Sequence, residues 1–156
     1  MGMYSLRLLV FVLVSILAGC GKKSDDILAG WELIEKNQSW SVYAEKNSRR
    51  PMEYSRGKVV MNVLFDHKNK MFATNSNVKN FDYLSALDRI EYDCDESAQR
   101  TWFISYHEAA LGQGSWDFFD LKRTADPSAA WIPIPADLNS VNYRLKAYAC
   151  EERARD

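Results

Sequence analysis

The chain has 156 residues, with 20 Lys and Arg against 21 Asp and Glu, and a formal net charge of −1. That near-balance excludes a general nucleic-acid binder, because neutralising phosphates takes a basic surplus. Five Trp and eight Tyr suit a small sheet-rich domain more than a helical bundle, and the length allows one hydrophobic core but not two.

Residues 8–20 read LLVFVLVSILAGC, an apolar run behind seven residues that carry the single cation Arg7. It is too short for a membrane span, which takes about 20 apolar residues, and its small-residue close is that of a secretory signal. The run follows neither period 2 nor period 3.6, so it does not read as a core strand or helix. Leu17-Ala18-Gly19-Cys20 resembles the lipobox of bacterial lipoproteins. That resemblance implies a signal peptide over residues 1–19, cleavage before Cys20, and acylation of the Cys20 sulfur as a lipid anchor. Gly21, in place of Asp, resembles lipoproteins sorted to the outer membrane, so the expected location is the cell envelope.

Residues 20–30 read as the lipidated N-terminus and its tether, because Gly21 to Gly30 is polar and small. The folded domain is expected over residues 31–150, followed by a charged tail at 151–156. Trp31, Leu33 and Glu35 alternate in a short first strand, and Trp40 to Ala44 makes a second. The polar stretch from Glu45 to Gly57 turns the chain, with Pro51 and Gly57 as breakers. Lys58 to Asp66 is the clearest strand, placing Val59, Met61, Val63 and Phe65 on one face of a half-buried antiparallel sheet. His67 to Asp82 reads as a long polar loop. Leu84 to Cys94 fits both a strand and a helix, and its Tyr92–Cys94 end favours the strand. Asp95-Glu96-Ser97 turns it into a second strand, Arg100 to Ala109, forming a hairpin. Leu111 to Gly114 breaks that run before a strand over Ser115 to Leu121. Asp126-Pro127 is another break, and the prolines in Trp131 to Pro135 suggest a sheet edge or extended crossing. Leu138, Val141, Leu145 and Tyr148 recur at helical spacing, predicting a helix over 138–149 capped by Asp137 or Ser140.

Of three cysteines, the anchor takes Cys20 and leaves Cys94 and Cys150, an even pair in a compartment that permits disulfides. A Cys94–Cys150 disulfide is the expected outcome; two free buried thiols or a metal site are the alternatives. His67 and His107 show no ligand spacing with either cysteine, and nothing in the sequence asks for a metal or a cofactor.

Catalytic groups are few. His107-Glu108 would face opposite ways on a strand, and Asp66-His67 reads as turn chemistry. Asp93, Asp95 and Glu96 crowd one turn, where a solvated acidic turn is the plainer reading than a cation site. Gly112 and Gly114 precede no phosphate-cradling helix, and no serine sits in a nucleophile elbow. The expectation is a non-enzymatic protein. Three surfaces compete for a binding role. The basic patch Arg49, Arg50, Arg56 and Lys58 suits acidic partners or lipid headgroups. Among Trp116, Phe118 and Phe119, core packing is assigned to Phe118, while Phe119, on the other face, is the candidate interface anchor. The third is the His67–Asp82 loop.

The order of W-S-V-Y-A (40–44), the strand 59–66, Y-L-S-A (83–86), E-Y-D-C (91–94), L-G-Q-G-S (111–115), W-I-P-I-P (131–135) and a helix closing on Cys150 resembles the surface-adhesin protein E family of Gram-negative lipoproteins. The resemblance spans Trp31 to Cys150. It implies an α+β fold: about six antiparallel strands with a C-terminal helix packed on the sheet, one disulfide, and often a homodimer. It also implies a role at the outer surface, where the founding member binds host vitronectin, laminin and plasminogen. The alternative is a periplasm-facing lipoprotein acting as an inhibitor or an envelope-assembly accessory.

Overall fold

The computed structural model describes residues 24–75, 78–121 and 130–151. The signal, Cys20, the start of the tether, the Asp126-Pro127 break and the tail beyond residue 151 lie outside the described residues. A short helix α1 (Ser24–Leu28) stands where the tether is expected. The strands are β1 (Trp31–Lys36), β2 (Trp40–Glu45), β3 (Arg50–Pro51), β4 (Lys58–Asn75), β5 (Val78–Asp93), β6 (Ala98–His107), β7 (Trp116–Asp120) and β8 (Ile132–Pro133). A 3-10 turn (Ala110–Gly112) lies between β6 and β7, and helix α2 (Val141–Cys150) comes last.

All strands join one antiparallel sheet, in the order β1-β2-β4-β5-β6-β7. The remaining two are additions of two residues each, β3 on β4 and β8 on β6. The expected six-stranded sheet is therefore the through path, and the proline segment does lie at an edge. The stretch His67 to Asp82 is not a loop. β4 and β5 continue through it as a two-stranded hairpin, in which Met71 faces Tyr83 and Ala73 faces Phe81 after a register shift. Asp66 and His67 thus lie within a strand, and 84–94 is strand rather than helix.

One face of the sheet carries the main core. Val42, Ala44, Val59, Met61, Val63, Ile90 and Tyr92 pack there against Leu145 and Ala149 of α2 and against Ile134. Burying side chains of this size stabilises by about 1.5–3 kcal/mol each before entropy is counted. The disulfide Cys94–Cys150 forms, with Cα atoms 5.9 Å apart, and ties the end of α2 to the end of β5. α2 starts later than predicted: Leu138 is exposed outside it, and of the two expected caps Ser140 stands at the N-cap position. Ser140 makes no side-chain capping bond, and the Asp137 carboxylate accepts the Asn139 N–H instead. A second, smaller core joins Ala73, Phe119 and Leu121 with Phe81, Tyr83, Ile104 and Tyr106.

The opposite face carries no helix, yet Val60 and Leu64 are buried there too. The β6–β7 connection folds over this face near Leu64, pinned by two strand residues. The Asp66 carboxylate accepts the Leu111 N–H at 2.7 Å. Ser85 Oγ accepts the Gly112 N–H at 2.8 Å and donates to the Ala109 carbonyl at 2.7 Å. Gly114 has φ 81°, and a Cβ there would meet Ala109 at 3.2 Å, so the connection closes only with glycine at that position.

Candidate partner-binding surfaces

The basic residues singled out in the sequence sit together at the end of the sheet where β4 begins, but they do different work. Arg49 turns inward. Its Nη1 donates to the Tyr148 carbonyl at 2.7 Å and its guanidinium lies 5.4 Å from the Tyr148 ring centroid, fastening the β2–β3 connection to α2. Lys58 is engaged as well, 3.4 Å from the Asp93 carboxylate and 4.4 Å from the centroid of the Trp131 ring. Arg50 and Arg56 remain exposed. Between them projects Tyr54, 97 % exposed at the tip of a tight turn. That turn is closed by hydrogen bonds from Met52 N–H to the Lys58 carbonyl and from Lys58 N–H to the Ser55 carbonyl. Two exposed arginines and an exposed tyrosine on this segment, with Glu53 exposed beside the tyrosine, suit acidic, partly aromatic protein partners. Tyr54 carries no sequence signal, since a lone tyrosine in a polar turn has no periodicity to betray its exposure.

Beneath this turn the packing is charged. The Trp131 ring lies against both Lys58 and Arg100, with the Arg100 guanidinium 4.6 Å from its centroid. Arg100 Nε donates to the fully buried Glu91 at 2.6 Å. Burial works to raise the Asp93 carboxyl, but the N–H groups of Glu96 and Asp95 and the Lys58 ammonium hold it below the usual carboxylate range. The acidic turn is therefore organised by its own backbone and by a lysine.

The aromatic strand β7 shows the reverse of the expected faces. Ile104 pairs with Phe119 and Ser105 with Phe118. Phe119 consequently enters the second core and is 6 % exposed, while Phe118 and Trp116 are 51 % and 57 % exposed on the helix-free face. Alternation alone fixes which residues share a face, not which face meets the core. Phe118 stacks on Phe103 at 5.5 Å and lies 5.6 Å from Trp116, so the exposed rings form an ordered row. The third expected surface, His67–Asp82, is the hairpin; its β4 arm exposes Met71 and Phe72 next to Lys68 and Lys70.

His107 is buried, with Nε2 3.0 Å from Ser105 Oγ, and burial lowers its pKa, which keeps the ring neutral near pH 7. Glu108 lies beyond the strand end and binds the Ser115 hydroxyl instead. Among the described residues no group of three or more His, Cys, Asp or Glu is placed to hold a metal ion.

The family model of surface-adhesin protein E matches residues 31–151 of the chain. Crystal form II of Haemophilus influenzae protein E superposes with a TM-score of 0.57 at 10 % identity, over 81 % of this chain and 91 % of that one. Protein E from non-typeable Haemophilus influenzae gives a TM-score of 0.58, also at 10 % identity, over 81 % and 79 % of the two chains. At such identity the likeness is one of fold. No curated protein sequence matches the chain.

Proposed function

Since the chain belongs to the surface-adhesin protein E family, we propose that it is a lipid-anchored envelope protein that binds extracellular host proteins through the Arg50–Tyr54–Arg56 turn. The observation that carries this reading is the exposed tyrosine between two exposed arginines, set on a turn braced by Lys58, Asp93 and Trp131. Tyr and Arg are the side chains most enriched at energetic centres of interfaces, and a braced loop loses little entropy on binding. The partners are of the vitronectin, laminin and plasminogen kind. Cys20 supplies the anchor, in the outer membrane.

Surface plasmon resonance with the full-length protein against immobilised vitronectin, laminin and plasminogen tests the reading. Saturable binding to at least one is expected, weakened roughly tenfold or more by the double change Arg50→Glu and Arg56→Glu and by Tyr54→Ala. Because exposed arginines carry part of it, binding should fall as salt rises. No saturable binding to any of the three would overturn the host-adhesin assignment.

A further inference from the structure

The end of the sheet remote from the Arg50–Tyr54–Arg56 turn is built from the β1–β2 turn, the β4–β5 hairpin and the β6–β7 connection. Exposed apolar side chains gather there. Met71 and Phe72 on the hairpin are 43 % and 52 % exposed, and Trp116 opens β7 with its ring 6.5 Å from that of His107. Lys68 and Lys70 flank the hairpin residues. The short helix α1 lies against the 3-10 turn Ala110–Gly112 of the same end, with Ile27 and Leu28 partly buried.

We propose that this end of the domain rests on the lipid surface, with Met71, Phe72 and Trp116 seated among the headgroups. The proposal depends on the reading of Cys20 as an acylated anchor. Three residues lie between Cys20 and Ser24, and the four extended steps from one to the other reach at most ~14 Å. An acyl chain on Cys20 therefore keeps α1, and the connection that α1 touches, within that distance of the bilayer. The surface in reach of so short a tether is the membrane itself. Aromatic rings beside lysines are the side chains that settle at a lipid–water interface. Glu108 and the exposed Asp25 and Asp26 of α1 offset Lys68 and Lys70, so apolar insertion rather than net charge carries the contact. The ring row Trp116–Phe118–Phe103 is already packed and needs no ordering on contact. In this orientation β4 rises away from the bilayer by about 30 Å between His67 and Lys58. The Arg50–Tyr54–Arg56 turn then faces outward.

The acylated full-length protein, reconstituted in vesicles of phosphatidylethanolamine and phosphatidylglycerol doped with bromine-labelled phosphatidylcholine, provides the test. Bromine should quench the tryptophan fluorescence, and Trp116→Phe should lose most of that quenching. Adding Phe72→Trp to that variant, at a half-exposed position, should restore it. Undiminished quenching in Trp116→Phe, on protein whose Cys20 carries an acyl chain by mass spectrometry, overturns the orientation and leaves the anchor standing. An unmodified Cys20 overturns both. Shielding of Trp116 from aqueous iodide in detergent, with the mass of two chains, assigns the face to a second copy and overturns the proposal.

Discussion

Asp88 stands in β5 opposite Val63 on one side and Ile104 on the other, at the seam between the two cores. Its Oδ1 is out of contact with water and has no hydrogen-bond partner among the described residues. Burial raises its pKa to about 7. The same burial, with Asp88 as a nearby negative charge, raises the Tyr83, Tyr92 and Tyr106 hydroxyls. Between the ordinary carboxylate value and about 7, the unfolded chain has released a proton that the folded chain keeps. Stability should therefore fall as pH rises through that window, by about 1.4 kcal/mol per unit at most. Asp88→Asn should flatten the dependence and raise the thermal midpoint at pH 8; denaturation curves at pH 4 to 8 check this. Glu91 is the contrasting case, a buried carboxylate paired with Arg100. Removing one partner of a buried pair costs about 3–5 kcal/mol, and the partly solvated Arg100 brings the cost at this site somewhat below that. Arg100→Met should lose roughly 2–3 kcal/mol in urea denaturation, and the loss should shrink when Glu91→Gln is added.

Helix α2 is held more by attachments than by its own face. Within it only Leu145 and Ala149 are buried, and its ten residues are too few for an autonomous helix. Its attachments include the Arg49–Tyr148 hydrogen bond, the bond from Lys146 Nζ to Ser97 Oγ, the ion pair from Arg144 to Glu35 at 3.2 Å and the disulfide. A bridge across 56 residues stabilises by about 4 kcal/mol on the chain-entropy model. Reduction, or Cys94→Ser with Cys150→Ser, should cost about that much and speed hydrogen exchange in α2 before it does so in β4 and β5. The elements also differ in how plainly the sequence announces them. Val59 to Phe65 alternates because one face of β4 meets α2, and that contrast is readable. His67 to Asp82 loses the pattern because the hairpin projects past the other strands, so no single face of it is consistently buried. Leu64 is apolar because the β6–β7 connection covers it, an arrangement visible only once Asp66 and Ser85 are seen to pin it. Of the basic residues, the cluster was legible but its division was not. Arg49 and Lys58 are bound by partners 99 and 35 residues further along the chain, Tyr148 and Asp93.

At the scale of the whole molecule the sheet separates two surfaces of different chemistry. One end presents Tyr54 with Arg50 and Arg56, and the other gathers Met71, Phe72 and Trp116 beside the N-terminal helix. If the apolar end is the tethered one and the basic end recognises proteins, as proposed above, the domain has the polarity that an adhesin requires. The same fold turned toward the periplasm would serve an inhibitor or an assembly accessory equally well, so the side of the membrane decides between them. Proteinase K added to intact cells measures that directly, with detection by an antibody against the folded domain. A surface adhesin should be removed from cells whose outer membrane is intact. A domain that survives until the membrane is permeabilised, while a known surface protein on the same cells is digested, would contradict the adhesin assignment.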